Sequence, residues 1–322
     1  MSEARAAELR VQDDPRPAPR WPSVSVVIPT RDRPELLARA VRQVLEQGYP
    51  GEIECVVVFD QSEPAPVAFE PPERRRLRSV TNQRTPGLAG ARNAGVLASG
   101  GDLVAFCDDD DEWLPGKVLA QVETLRDHPE AAVVACGIFV KYQDREIKRM
   151  PPPGPVPLEV FLRSRTMEIN PCTILVRREA LLGPIGLVDE ALPGSYYEDY
   201  EWLLRAARVA PVLVVPEPMV RIHWHATSFF SERWQTIISA ITYLIDKHPE
   251  LRGDQAGMAR LEGQLAFAHA ALGQRAAARR WAASALRRNW RERRGYVALL
   301  VSTRLVRADT VLRMAHSVGK GV

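Results

Sequence analysis

The stretch LVAFCDDDDEW (residues 103–113) runs from a short apolar segment directly into four consecutive aspartates. Carboxylates this close repel one another, and burial raises that cost unless a cation or bound protons compensate for the charge. Mg²⁺ or Mn²⁺ suits such a cluster, because both are hard ions that bind carboxylates, substrate phosphates and water. A solvated acidic turn is the commoner role of an acidic run, so the neighbouring sequence decides between the two.

Two apolar stretches earlier in the chain predict a parallel sheet beside the acidic run. VSVVI (residues 24–28) stops at Pro29 and Thr30, and IECVVVF (residues 53–59) stops at Asp60. Their nearly continuous apolarity indicates strands that are buried on both faces. We therefore expect an α/β fold with a doubly wound, mostly parallel sheet. Ligands of such sheets bind beyond the carboxyl ends of the strands, where Asp60 and the acidic run lie.

The segment between these two strands predicts a helix over residues 33–47, because its apolar residues recur on one face. Asp32 is a candidate N-cap with Glu35 three residues later, and Gly48 is a candidate end. This helix completes a right-handed βαβ unit.

Further elements follow along the chain. We expect strands over residues 77–81, 131–140, 170–178 and 212–215, and helices over residues 87–98, 117–125 and 179–182. Glu198 and Asp199 open an amphipathic helix; carboxylates are stabilised at a helix N-terminus, so a capping role is the alternative to a catalytic one. Residues 261–273 and 276–288 predict a helical hairpin.

Charge is distributed unevenly along the 322 residues, whose net charge is +3. Residues 251–322 contain 14 Lys and Arg and 4 Asp and Glu, or 14 − 4 = +10, which leaves 3 − 10 = −7 for residues 1–250. The acidic part suits a metal site. The basic part suits either an anionic lipid surface or a helical lid with its arginines in water. It contains no recognisable nucleic-acid-binding module, and we expect no nucleic acid partner.

Cysteine usage and hydropathy bear on the cellular compartment. The four cysteines lie far apart without a CxxC spacing and are interpreted as reduced thiols of a cytoplasmic protein. The polar, proline-rich start does not resemble a signal peptide, and no apolar run reaches the roughly 18 residues that a membrane span requires. We expect a cytoplasmic location, with the inner face of the cell membrane as a candidate peripheral contact.

These motifs, in this order, resemble the family-2 glycosyltransferases, which have a GT-A-type, Rossmann-like nucleotide-binding fold. The resemblance rests on SVVIPTRDRP (residues 25–34), on ARNAG (residues 91–95) before the acidic run, and on Glu198-Asp199 followed by Arg205 and Arg221. It implies an inverting, metal-dependent transferase that moves a sugar from a nucleotide-diphosphate sugar to a hydroxyl acceptor. A UDP-sugar is the expected donor, with GDP- and dTDP-sugars left open, and Mn²⁺ or Mg²⁺ is the expected cofactor.

The extent of the resemblance and the changes in composition on either side of it predict three parts of the chain. A disordered, polar and proline-rich tail is expected over residues 1–22. A glycosyltransferase domain covers residues 23–228, with a nucleotide-binding half over about 23–117 and an acceptor-side half over about 118–228. A basic helical region covers residues 229–322.

Individual residues receive roles from the resemblance. The nucleotide-sugar donor is assigned to Pro29, Thr30, Arg31, Asp60, Arg92, Asp108, Asp109 and Glu198. The metal is assigned to Asp110, Asp108 and His223, with His225 as a competitor for the place of His223. Asp199 is the expected general base. Phe59 and Gln61 depart from the acidic residue and glycine that family members usually carry around Asp60, so the nucleotide's identity stays open.

Two other classes of protein remain as alternatives. A nucleotidyltransferase shares a doubly wound sheet and metal-binding carboxylates, but the first strand is not followed by a glycine-rich phosphate loop with a lysine. A catalytically inactive nucleotide-binding, calcium-binding or adaptor protein is the other alternative. The acidic run does not fit an EF-hand loop, because Trp113 stands at the glycine position.

Overall fold

The computed structural model describes residues 20–224, 233–304, 306, 308, 310 and 311. His225 and the expected domain boundary at residues 228 and 229 lie outside the described residues. The strands are β1 (Val24–Thr30), β2 (Ile53–Phe59), β3 (Arg75–Thr81), β4 (Leu103–Phe106), β5 (Glu112–Trp113), β6 (Val133–Tyr142), β7 (Arg145–Arg149), β8 (Leu175–Arg177) and β9 (Leu213–His223).

The strands form one sheet in the order β3-β2-β1-β4-β8-β6-β9-β5, and β7 pairs with β6. Strands β3, β2, β1 and β4 are parallel, and β6 also pairs in parallel with β9. Strand β8 is antiparallel to both of its neighbours and joins the two parallel groups. The expected α/β class with a mostly parallel sheet is confirmed.

Ten α-helices are present among the described residues. They are α1 (Pro34–Leu45), α2 (Leu88–Ala98), α3 (Lys117–Asp127), α4 (Leu158–Arg163), α5 (Arg178–Leu182), α6 (Glu198–Val209), α7 (Trp234–Lys247), α8 (Gln255–Ala271), α9 (Arg275–Arg288) and α10 (Arg293–Ser302). The predicted helical hairpin corresponds to α8 and α9. No helix in the described part of the chain is both long enough and apolar enough to cross a bilayer.

The carboxyl ends of β1, β2 and β4 meet at one edge of the sheet. Thr30, the last residue of β1, lies beside Phe59 at the end of β2, and β4 runs parallel to β1 on its other side. Asp60 and the acidic run follow β2 and β4 directly. The placement of these carboxylates at the ligand-binding edge is therefore as the sequence predicts.

The predicted ends of α1 were wrong. The helix starts at Pro34, and Asp32 does not cap it, because Asp32 has a positive φ of 53° outside the helix and Arg33 occupies the N-cap position. The helix also ends before Gly48, at Leu45. The side chain of Gln47 instead donates to the Leu114 carbonyl at 3.1 Å, which fixes the turn by tertiary contact.

The strand predicted over residues 170–178 was too long. Asn170 caps a 3-10 helix over Pro171–Thr173, because its side chain accepts a hydrogen bond from the Cys172 amide, and only Leu175–Arg177 is extended in the sheet. This short helix brings Cys172 under the acidic run.

Helices α7 and α8 pack against the sheet domain. Met258 and Leu261 of α8 belong to the same buried cluster as Tyr200 and Leu203 of α6. Gly257 lies so close to α4 that an added Cβ would be 1.9 Å from the carbonyl oxygen of Leu162. These helices therefore stand directly behind α6, whose first turn carries Glu198 and Asp199.

Candidate active site

Hydrogen-bonded polar groups surround Asp60, which directly follows β2. Asp60 accepts hydrogen bonds from Asn82 at 2.7 Å, from Gln61 at 3.0 Å and from the Gly87 amide at 3.0 Å. Pro29 is buried within β1, whereas Arg31 is exposed beyond it. Asp60 thus joins the loop after β2 to the start of α2, beside the position where the resemblance expects a base.

Two of the four aspartates contact the segment after β1. Asp109 accepts from the Thr30 hydroxyl at 2.8 Å and from Arg33 at 3.1 Å, and Arg33 also donates to Asp110 at 2.9 Å. Burial, together with the charge of Asp110, raises the pKa of Asp109 despite these bonds. The Arg33 side chain is 51% exposed and that of Asp110 is 24% exposed, so solvent screens this ion pair and its contribution to stability is small.

Arg92 of α2 bridges a carboxylate after β4 and a carboxylate at the start of α6. It is buried, donates to Asp108 at 2.8 Å and forms a short ion pair with Glu198. Burial lowers the pKa of Arg92, but the charges of Glu198 and Asp108 outweigh that effect and raise it. Burial raises the pKa of Glu198 to about 7 against the opposing charge of Arg92. The bridge fixes the distance between the two acidic motifs.

Asp199 is held by an arginine that the sequence analysis did not identify. One terminal nitrogen of Arg165 donates to both carboxylate oxygens of Asp199, at 3.0 and 2.8 Å, and the Tyr200 amide donates to Oδ1 at 2.7 Å. Arg165 lies 4.7 Å from the centre of the Tyr197 ring, and the Tyr197 hydroxyl donates to Gln264 of α8 at 2.5 Å. The C-terminal helices therefore support the side chains around Asp199.

Two aspartates of the acidic run form a cluster with Cys172. Oxygens of Asp108 and Asp111 and the sulfur of Cys172 all lie within 4.8 Å of one another. Cys172 Sγ donates to Asp111 at 3.1 Å, and burial followed by the charges of Asp108 and Asp110 raises the pKa of Asp111 well above its usual range. The two carboxylates fit a hard divalent cation, which would relieve the repulsion between them.

His223 lies beside this cluster at the end of β9. Its amide donates to Asp111 Oδ1 at 3.2 Å, whereas its ring Nε2 is 2.8 Å from Glu112. Arg221 also contacts Glu112, at 2.6 Å. In this arrangement the backbone of His223 positions Asp111 while its imidazole pairs with Glu112.

A pocket of about 270 Å³ brings the acidic motifs together. The charged groups in its lining include Arg92, Asp108, Asp111, Arg165, Glu198 and Asp199. Three aromatic side chains, those of Tyr196, Tyr197 and Trp224, also line it. The other sequence-predicted residues, Pro29, Thr30, Arg31, Asp60, Asp109, Asp110 and His223, lie outside this lining. The pocket has room for a cation near Asp108, and the carboxylate of Asp199 in its lining can accept a proton.

Comparisons with known proteins identify the family that this chain resembles. Residues 25–183 match the model of the family described as glycosyl transferase family 2. The putative colanic acid biosynthesis glycosyl transferase WcaA of Escherichia coli K12 is 30% identical over 102 residues, which cover 30% of this chain and 36% of that protein. The first three curated relatives are matched over only 36%, 40% and 42% of their own lengths.

Solved structures show the same fold over nearly the whole chain. S. aureus TarS 1–349 in complex with UDP-GlcNAc has a TM-score of 0.57 at 15% identity, with 92% of each chain covered. The mannosyltransferase PcManGT from Pyrobaculum calidifontis in complex with GDP-Man and Mn²⁺ has a TM-score of 0.52 at 19% identity, with 91% of this chain and 87% of that chain covered. These likenesses confirm the expected GT-A-type fold.

Proposed function

Since the domain at residues 25–183 belongs to glycosyl transferase family 2, we propose that the protein transfers a sugar from a nucleotide-diphosphate sugar to a hydroxyl acceptor. The observation that carries this proposal is the pocket in which Asp108 and Asp199 face the same space, linked through Arg92 and Glu198. A single displacement needs one group that holds the donor and a second group that accepts the proton of the acceptor hydroxyl. Such a displacement inverts the anomeric centre.

Asp199 is the proposed general base. Its Oδ1 accepts from both the Tyr200 amide and Arg165, whereas Oδ2 has Arg165 as its hydrogen-bond donor among the described residues. A carboxylate oxygen accepts more than one hydrogen bond, so an acceptor hydroxyl can donate to Oδ2 and pass its proton there as it attacks. Arg165 holds the carboxylate in one orientation during this step.

Asp108, Asp110 and Asp111 are the proposed holders of Mn²⁺ or Mg²⁺. Asp108 and Asp111 already lie together with Cys172, and Asp110, whose ion pair with Arg33 is partly exposed to solvent, stands next to them in the chain. His223 is a proposed neighbour of the ion, because its backbone amide donates a hydrogen bond to Asp111. When bound, a divalent ion stabilises the negative charge that grows on the diphosphate leaving group.

The donor is proposed to be a UDP-sugar, with GDP- and dTDP-sugars as alternatives. Support comes from the solved neighbours bound to UDP-GlcNAc and to GDP-Man. Pro29, Thr30, Arg31 and Asp60 are the proposed contacts of the base and ribose, since Pro29 and Thr30 end β1, Arg31 follows it and Asp60 follows β2 at the carboxyl edge of the sheet. Arg92, which pairs with Asp108 and Glu198, is proposed to hold these two carboxylates beside the diphosphate of the donor.

The proposed location is the cytoplasm, with the inner face of the cell membrane as its peripheral contact. All four cysteines are buried and free. Unpaired cysteines are typical of reducing compartments.

The proposed transfer is tested by release of nucleoside diphosphate from purified protein incubated with UDP-glucose, UDP-GlcNAc, GDP-mannose or dTDP-glucose. With Mn²⁺ present, we expect one donor to be hydrolysed slowly by water in place of the acceptor, and the release to stop on addition of EDTA. A matched reaction with Asp108→Asn is expected to show no release. Release that continues unchanged in EDTA and in Asp108→Asn would refute a metal-held donor.

A further inference from the structure

Three large apolar side chains are exposed together at one end of the C-terminal helices. Trp290, in the turn between α9 and α10, is 67% exposed, and Tyr296 and Leu300 of α10 are 52% and 46% exposed. The Tyr296 hydroxyl donates to the Trp290 carbonyl at 2.9 Å, which fixes the two residues side by side. Leu300 lies one helical turn after Tyr296 on the same face. Contiguous exposed apolar groups mark a contact surface.

Exposed arginines lie next to these side chains in the sequence. Arg287, Arg291 and Arg293 are exposed, and the Arg291 guanidinium lies 5.1 Å from the centre of the Trp290 ring. Residues 272–304 contain nine arginines and one acidic residue, Glu292. Glu292 is buried and bonded to Arg294, so it does not offset the charge of the surface.

The opposite face of α10 already serves the protein core. Ala298 and Val301 are buried in a cluster with Phe267 of α8 and Ala282 of α9. The exposed residues therefore do not contribute to the packing of these helices. Replacing them is expected to leave the buried cluster of α8, α9 and α10 intact.

We propose that a corner surface made of Arg287, Trp290, Arg291, Arg293, Tyr296 and Leu300 docks on an anionic lipid bilayer. Trp and Tyr side chains settle at the level of the headgroups, a leucine beside them reaches the acyl boundary, and arginines attract and bind lipid phosphates. Nucleic acid would match the arginines but would leave the Tyr296–Leu300 row without a partner. The proposal rests on this surface alone and stands whatever donor the active site uses.

The test is co-sedimentation of the full chain with vesicles of phosphatidylcholine alone or mixed with phosphatidylglycerol. We expect binding to the anionic vesicles that weakens with added salt, and little binding to the neutral ones. Arg291→Gln/Arg293→Gln is expected to lower the partition coefficient about 25-fold at low salt, from about fivefold per arginine. Trp290→Ser/Leu300→Ser, which keeps the charge, is expected to lower it roughly tenfold.

Matched controls separate this surface from general charge attraction. Arg42→Gln/Arg76→Gln removes two exposed arginines from α1 and β3, and Leu97→Ser removes a leucine that is 50% exposed on α2; neither is expected to change binding more than about twofold. Absence of binding by the unaltered protein, or equal losses in the controls, overturns the proposal. It also falls if Trp290→Ser/Leu300→Ser keeps full vesicle binding while a single-stranded oligonucleotide competes for the surface.

Discussion

Replacing Asp199 with asparagine is expected to lower sugar transfer by about 10³-fold, within the range that positioned proton transfer contributes. The amide keeps the shape of the carboxylate but takes up a proton far less readily, so the acceptor hydroxyl is no longer activated. Donor affinity is expected to stay within about twofold, because Asp199 does not hold the donor in the proposed mechanism. Turnover and donor binding, measured on the same preparation, check both halves of the expectation.

Asp127→Asn provides the matched control, since Asp127 is an exposed carboxylate at the end of α3. Asp199→Asn also leaves Arg165 without its counter-charge, so the thermal unfolding of both variants must be recorded beside the rates. A folded Asp199→Asn protein with unaltered turnover would show that another group accepts the proton.

Replacing Arg92 with methionine is expected to lower the free energy of unfolding by about 3–5 kcal/mol, the usual cost of breaking a buried ion pair. Methionine fills much of the space of the arginine stem, but the buried Glu198 and the partly exposed Asp108 lose their shared cation. Unfolding in urea or guanidinium measures the change. The same variant loses the bridge between Asp108 and Glu198. We therefore expect the rate of sugar transfer to fall together with the free energy of unfolding.

Two variants separate the buried bridge from charge in general. Arg84→Met removes an arginine that pairs with Glu190 and is 40% exposed, and we expect a cost below about 1 kcal/mol. Arg92→Met/Glu198→Gln is expected to be more stable than Arg92→Met alone, because the neutral amide removes an uncompensated buried carboxylate. A loss for Arg92→Met no larger than that for Arg84→Met would contradict the structural role of the bridge.

The ligand-binding edge of the sheet was predictable because its signals are local. Continuous apolar strands 24–28 and 53–59 indicate burial on both faces, and polar residues directly after a parallel strand must lie at its carboxyl end. The family motifs then place Asp108 and Asp199 in one site. The antiparallel joining strand β8 was harder to predict, since three residues carry little periodicity.

The partners of the acidic residues could not be predicted from local patterns. Arg165 reaches Asp199 across 34 residues of chain, and Cys172 reaches Asp111 across 61. Such pairs depend on how α4 and the 3-10 helix at Pro171–Thr173 pack, which no motif records. The N-cap was also not predictable locally: Asp32 has a positive φ of 53°, and Arg33, which takes the N-cap position, directs its side chain toward Asp109 and Asp110.

Thermal unfolding with UDP, GDP, dTDP and CDP, each with and without Mn²⁺, tests the central claim that the acidic run holds a nucleotide through a metal. A ligand at a hundred times its dissociation constant adds about 2.7 kcal/mol to stability, which is readily detected. We expect an upward shift of the melting temperature with one nucleotide, UDP, that requires Mn²⁺, disappears in Asp110→Ala and persists in Asp127→Ala. A shift that needs no metal and survives in Asp110→Ala, or no shift with any nucleotide, would contradict it.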